Sequence, residues 1–162
     1  MGHAGRAVIV GLISDTHGLV RADVHSALAG VDLILHAGDV GGQEILDELR
    51  LIAPVRAVRG NTDGVDEPGL ENAIDVTIEG VRIHVSHGHE VGRPTPEALA
   101  AAYAADLIVY GHTHRQRVDR VDGRLVVNPG AAGARRFDLM PSVARVTIES
   151  GAAEVTIVAL TT

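Results

Sequence analysis

Residues 7–18, Ala-Val-Ile-Val-Gly-Leu-Ile-Ser-Asp-Thr-His-Gly, decide how the chain is read. Ala7 to Ser14 is an apolar run of strand length, and the Asp15-Thr16-His17-Gly18 segment behind it has turn composition. A pair of polar donors therefore sits at the C-terminal end of a strand. In extended chain, residues two apart project to one side with Cα atoms about 6.5 Å apart, so Asp15 and His17 can reach one ion. Gly18 permits a sharp exit. Taken alone, the segment reads more simply as a cap for a helix beginning near Arg21.

The same phrase returns along the chain. Leu33 to His36 reads as a buried strand before Gly38-Asp39, and Val55 to Val58 as a strand before Gly60-Asn61-Thr62-Asp63-Gly64, within the turn-rich Arg59 to Gly69. A hairpin, Ala73 to Glu79 with Val81 to Ser86, delivers His87-Gly88-His89. Leu107 to Tyr110 delivers Gly111-His112-Thr113-His114. Helices are expected over Arg21 to Leu28, Gln43 to Leu49, and from an N-cap at Thr95, with Pro96 in the first position, to about Ala105. Two more hairpins follow: Gln116 to Val121 with Arg124 to Val127, and Val143 to Glu149 with Glu154 to Leu160. About ten strands and three helices predict an α/β fold of two packed sheets with helices outside, in one domain over residues 1–162.

Composition narrows the chemistry. The chain has 162 residues, 46% hydrophobic but 2% aromatic, so its core must be built from Val, Ile, Leu and Ala. The net charge is -7 and all 14 basic residues are Arg, which argues against binding extended nucleic acid, since counterion release needs a basic face. Bound cations would still let a small anionic substrate in. With no Cys there is neither disulfide nor thiolate ligation, and no stretch approaches the roughly 20 apolar residues of a membrane span. These features fit a cytoplasmic protein without membrane contact. A homo-oligomer is compatible, but no apolar stripe marks an interface.

Each cluster has a bland reading: Asp39 before Gly41-Gly42 as a cap, Asn61 as a surface turn. The Gly-flanked His pairs after apolar strands are sharper, because such pairs are unusual as core-packing elements. Together they give seven oxygen and nitrogen donors, Asp15, His17, Asp39, Asn61, His87, His112 and His114. That is more than one ion normally takes from a protein, whereas two ions sharing a carboxylate use that number naturally.

Taken in this order, the clusters resemble the calcineurin-like metallophosphoesterase superfamily, in particular its small single-domain bacterial and archaeal phosphodiesterase branch; Ala105 to Tyr110 leading into Gly-His-Thr-His adds to the likeness. The resemblance implies a four-layer sandwich of two mixed β-sheets flanked by helices. It assigns Asp15, His17 and His114 to a first divalent ion, Asn61, His87 and His112 to a second, and Asp39 to a bridge between them. Manganese is the first expectation for the ions, with iron, nickel, cobalt or zinc as alternatives. The implied reaction is hydrolysis of a phosphate ester, most readily a diester, by hydroxide generated between ions about 3.5 to 4 Å apart. A phosphomonoesterase or nucleotide pyrophosphatase would use the same centre. A non-catalytic scaffold is the rival from another class, because a eukaryotic relative in a trafficking complex has this fold without the full histidine set.

One departure matters. Many superfamily members carry a His directly after the motif Asn, where this chain has Thr62, so the proton donor to the leaving group is open. Asp63 is a candidate to orient a ligand or relay a proton, and His89 to support a ligand or touch substrate. Arg135 and Arg136, after Asn128-Pro129-Gly130, are candidates to steady the phosphate. His36, just before Gly38-Asp39, reads as packed or as a support behind the ligands, His84 as packed between apolar neighbours, and His25 and His3 as lying apart from the metals.

Overall fold

The computed structural model describes residues 7–136 and 138–161; His3 lies outside them. Strands β1 (Val8–Ile13), β2 (Leu33–His36), β3 (Val55–Val58), β4 (Leu70–Glu71), β10 (Ser142–Glu149) and β11 (Ala152–Ala159) form one sheet, in the order β11-β10-β1-β2-β3-β4. The second sheet, β5-β6-β7-β9-β8, comprises β5 (Ile74–Ile78), β6 (Val81–Val85), β7 (Leu107–Val109), β8 (Arg117–Val121) and β9 (Arg124–Asn128). Helices α1 (Val24–Ala27), α2 (Gln43–Arg50) and α3 (Pro96–Ala102) complete the fold. Both sheets are mixed, as expected.

The two sheets pack face to face through Leu12, Leu35, Val58 and Val146 from one and Ile83, Val85, Leu107 and Val127 from the other. Behind the first sheet, Val24 and Leu28 around α1 and Ile45, Leu46 and Leu49 of α2 cover Ile13 and Ile34. Behind the second, Leu99 and Ala100 of α3 cover Ile108, Tyr110 and Val126. The result is four layers. Strands β1, β2 and β7 are buried on both faces, which is why their sequences are continuous apolar runs rather than alternating ones. Gly11 interrupts β1 because an added Cβ would come within 3.0 Å of Leu28, so α1 could not sit so close.

Strands β1 to β4 run parallel to one another, as do β6, β7 and β9. Their C-terminal ends carry the clusters quoted above. Local departures from the sequence expectation have visible causes. Helix α1 is shorter than Arg21 to Leu28, for Asp23 makes no side-chain cap and accepts instead from the Thr161 amide at 2.6 Å. Helix α3 starts as expected, with the Ala98 amide donating to Thr95 Oγ1 at 3.1 Å, but stops at Ala102 because Tyr103 turns extended. Strand β4 escapes sequence reading because two residues have no periodicity. It pairs with β3 in parallel and is clamped by a bidentate Arg56–Glu71 ion pair.

The inter-sheet core sets the stability. Leu35→Ala is expected to lower unfolding free energy by about 2–5 kcal/mol in denaturant titration. Leu51→Ala, at an 80% exposed position, is expected to change it by less than about 0.5 kcal/mol.

Candidate metal centre

The loops that leave β1 and β2 remain zipped together beyond the sheet. Asp15 N–H donates to Gly38 O at 2.9 Å, His17 N–H to Asp39 O at 3.0 Å and Gly18 N–H to Val40 O at 2.9 Å. In the second sheet Gly111 N–H donates to His87 O at 3.0 Å. Among the bonds that stitch the two edges, the His112 amide donates to Asp15 Oδ2 at 3.1 Å. Side chains far apart in sequence are thereby brought to one place.

Asp15 Oδ1 stands at the middle of that place, 3.4 Å from His114 Nε2, 3.7 Å from His17 Nε2 and 3.8 Å from His87 Nε2. Asp39 Oδ2 lies 3.2 Å from His87 Nε2 and 3.6 Å from His17 Nε2. Two groups have the spacing to hold a metal ion: Asp15, His17 and His114, and Asp15, Asp39 and His87. The carboxylate common to both groups is Asp15, while Asp39 faces a histidine from each. At the margin, His112 Nδ1 is 3.0 Å from Asn61 Oδ1, and the His112 and His87 rings are 5.2 Å apart. The seven candidate donors thus form one cluster.

The remaining candidates fall around it. His89 begins a short 3-10 turn, His89–Val91, with its ring 5.4 Å from that of His87 and 6.2 Å from that of His112. Asp63 is engaged elsewhere, its carboxylate accepting from the amides of Val40 at 3.0 Å, Gly41 at 3.2 Å and Gly60 at 2.9 Å. That arrangement ties the Asn61 loop to the Asp39 loop. Arg135 and Arg136 are exposed on the stretch after Gly133, whose backbone packs on Thr16.

The cluster is held in a backbone geometry that L-residues avoid. Of the eight described non-glycine residues with positive φ, five are candidate ligands: Asp15 (54°), His17 (46°), Asp39 (56°), His112 (71°) and His114 (66°). Such conformations cost about 1–3 kcal/mol each and persist where surroundings over-determine them. Gly60 is needed for close approach, since a Cβ there would collide with the Asp39 carboxylate and amide.

Hydrogen bonds fix which atoms face inward. His87 Nδ1 lies 2.7 Å from the Ala37 carbonyl, so it carries the proton and leaves the Nε2 lone pair toward Asp15 and Asp39. The Thr62 amide donates to Asp39 Oδ1 at 2.9 Å, turning Oδ2 inward. Asp15 Oδ1 and His87 Nε2 are both buried with no hydrogen-bond partner. Buried acceptors facing one another are unfavourable unless a cation lies between them, and the donor set therefore fits divalent metal. Burial raises the Asp15 carboxyl pKa, but the His114 and His17 rings, the His87 charge and the Ser14 hydroxyl outweigh it and hold the group far below the carboxylate range. Asp39 is likewise raised by burial yet drawn down to about 2 by His87 and the Thr62 amide. His87 is pushed down by burial and raised overall by the same two carboxylates.

Two further supports hold the ligand loops from behind. Gly38 N–H donates to His36 Nδ1 at 3.0 Å, so His36 Nε2–H donates to Thr16 Oγ1 at 2.9 Å, and Thr16 Oγ1–H to Val40 O at 2.7 Å. This one-way chain joins the first two loops. Asn128, at the end of β9, donates to Gly111 O at 3.1 Å and Thr113 Oγ1 at 3.0 Å while accepting from Gly130 at 2.9 Å, which anchors the Gly-His-Thr-His loop. The Asn-Pro-Gly sequence after an apolar strand was the available hint.

Two mixed sheets with a histidine–carboxylate cluster at their strand ends define the metallo-dependent phosphatase type of protein. Residues 8–151 match the calcineurin-like phosphoesterase superfamily domain, and the chain belongs to that superfamily. A probable metallophosphoesterase of Methanocaldococcus jannaschii is 35% identical over 154 residues, covering 90% of this chain and 78% of the relative. A phosphodiesterase of the same archaeon is 28% identical over 139 residues, 75% of this chain and 82% of its own. Among solved structures, a point mutant of Vps29 from Entamoeba histolytica aligns with a TM-score of 0.75 at 25% identity, over 95% of this chain and 100% of that one.

The His36 chain has a pH signature. Burial, opposed by nearby carboxylates, lowers its pKa to about 4, so the folded protein keeps His36 neutral where the unfolded chain protonates it. The contribution is complete above the ordinary histidine value and is lost as pH falls from about 6.5 toward 4. Metal-free protein is expected to lose up to about 3 kcal/mol from this group across that window, and His36→Gln to flatten the slope, as read by denaturant unfolding at stepped pH.

Proposed function

We propose that the chain is a phosphodiesterase whose centre takes two divalent ions. Family membership already makes it a hydrolase of phosphoric esters. The observation that carries the finer reading is the pair of buried, partnerless atoms, Asp15 Oδ1 and His87 Nε2, turned toward each other among five further donors. Asp15, His17 and His114 would hold one ion and His87, His112 and Asn61 the other, with Asp39 shared between them. Bound there, divalent ions would supply Lewis acidity toward the phosphoryl oxygens and a water acidic enough to ionise near neutral pH.

The chain's own residues do the rest. Thr62 N–H and the His87–Ala37 bond keep the ligand atoms aimed without reorganisation during turnover. His89, beside the Asn61 loop and partly exposed, supplies the proton to the departing ester oxygen in place of the histidine that Thr62 replaces. Arg135 and Arg136, exposed on the stretch after Gly133, are the side chains that would steady the phosphate. Asp63 is a positioning residue acting through the backbone amides it accepts. A diester is favoured by the similarity to the archaeal phosphodiesterase. The likeness to Vps29 supports the fold and brings no partner with it. The complete donor set favours catalysis over a scaffold.

Metal-stripped protein given manganese is expected to bind two ions per chain by elemental analysis and to hydrolyse bis-p-nitrophenyl phosphate faster than the corresponding monoester or a nucleoside diphosphate. Asp39→Ala should lose both ions and His17→Ala mainly one. An Asp39→Ala protein that keeps two ions and full activity would sink the bridge, and silence with every one of manganese, iron, nickel, cobalt and zinc would sink catalysis.

The proton-donor role predicts a dependence on leaving group. His89→Ala is expected to slow alkyl diesters by about 10²-fold while leaving p-nitrophenyl esters, which need no proton, much less affected. Equal losses on both series would remove His89 from that role.

A further inference from the structure

On the Asn61 side of the cluster a cavity of about 350 Å³ opens, bounded by His89, Glu90, Val65, Ala73 and Tyr103. Its size is at the small end of the range for small-molecule sites. Because Asn61 and His89 belong to both the cavity and the cluster, a group attached to a phosphate at the centre can enter it directly.

The far wall is rigid. Tyr103, turned out of α3, stacks on His84 with ring centroids 3.7 Å apart, and its hydroxyl donates to Glu90 Oε2 at 2.8 Å. His84 is fixed in turn, its Nδ1 2.8 Å from Asp75 Oδ1. Glu90 Oε1 accepts the Gly88 amide at 2.9 Å, so the carboxylate is held in place by bonds from both sides.

The charges in the cavity are unequally available. The Arg59 guanidinium is turned away into its own loop, donating to Gly64 O at 3.0 Å, Asn72 Oδ1 at 2.8 Å and the carbonyls of Glu67 and Leu70 at 3.4 Å. The Asp63 carboxylate is compensated by three backbone amides. Glu90 accepts from the Gly88 amide and the Tyr103 hydroxyl, and His89 Nδ1 stands 3.9 Å from its Oε1, beyond hydrogen-bond reach. Burial raises its pKa, but the Ser86 hydroxyl, nearby amides and Tyr103 lower it further, so it is ionised at neutral pH. Val65 and Ala73 add apolar surface, Val65 being 81% exposed at the lip.

We propose that this cavity receives the departing alcohol of the phosphodiester and admits an uncharged group in preference to an anionic one, with Glu90 setting the preference. The inference rests on the phosphodiesterase reading above. It excludes a second phosphate from the leaving group and so separates this chain from a nucleotide pyrophosphatase, since a like charge beside a fixed carboxylate is an element of rejection.

The test uses the full chain loaded with manganese and two substrates, methyl p-nitrophenyl phosphate and its analogue with a carboxylate on the departing ring. Wild type is expected to favour the uncharged ester by about tenfold in kcat/KM at low salt. Glu90→Gln removes the charge while keeping an oxygen to accept the Gly88 amide and an NH2 that can donate to a rotated Tyr103 hydroxyl, and should bring that ratio to about one. Ala73→Trp narrows the cavity and should raise KM for the uncharged ester several-fold without changing inhibition by inorganic phosphate. A ratio unmoved by Glu90→Gln, or a KM unmoved by Ala73→Trp, overturns the subsite while leaving the hydrolase intact. No turnover of either ester by wild type overturns the phosphodiesterase reading itself and the subsite with it.

Discussion

Two carboxylates buried against the lone pairs of histidines are the constraint around which the rest of this molecule is organised. Asp15 Oδ1 has three imidazole Nε2 atoms within 3.8 Å and no hydrogen bond, and Asp39 Oδ2 has two within 3.6 Å. Protons can relieve part of this, as the raised His87 shows. They cannot relieve all of it, because His87 Nδ1 is already committed to Ala37 and the surrounding rings compete for the same small space. A divalent cation satisfies several acceptors at once, which no single proton does. The empty-handed atoms are therefore the physical argument for metal, and it is stronger than any count of donors.

Such an arrangement must be imposed by structure, because the loops would not adopt it unaided. Left-handed backbone at His17, His112 and His114 is unfavourable, and tight contacts at Gly38, Gly60 and Gly111 leave no room for side chains. What offsets this is the sheet pair itself, whose inter-sheet core continues to the strand ends. The amide bonds between the β1 and β2 loops extend the parallel ladder past the last strand residue, so the strain sits on rigid supports. His36 and Asn128 brace one loop system each. Rigid strand ends position ligands more sharply than free loops would.

The fold was legible because buried parallel strands write themselves as continuous apolar runs, and each run here ends in a polar donor flanked by glycine. Val8–Ile13, Leu33–His36 and Leu107–Val109 all followed that rule, and the likeness to a known superfamily supplied the way they meet. What sequence could not convey was three-dimensional bookkeeping. Nothing in Gly60-Asn61-Thr62-Asp63 tells that Asp63 turns back to three amides rather than toward the centre. Nothing in the Ala-rich end of α3 announces that Tyr103 leaves the helix to meet Glu90, thirteen residues earlier in the chain. His36 looked like core packing and is buried, but its bonding chain to Thr16 and Val40 is visible only in three dimensions.

The centre and its neighbouring cavity divide the work between the two sheets. Asp15, Asp39 and Asn61 come from loops of the first sheet, while His87, His112 and His114 come from the second, so the donor cluster lies on the seam and neither sheet alone supplies it. The cavity straddles the same seam, with Arg59 to Val65 on one side and Ser86 to Glu90 on the other. Chemistry and selection are nevertheless separable. The donors that face the phosphate are locked by backbone bonds and strained geometry, which tolerate little change. The walls that would face the alcohol are exposed loop residues such as Val65 and Ala73, with the Glu90 carboxylate held among them by the Gly88 amide. A family can therefore keep the reaction while changing what it cuts, and under the subsite proposed for this chain that change falls to the loop after Asn61 and the turn after His87.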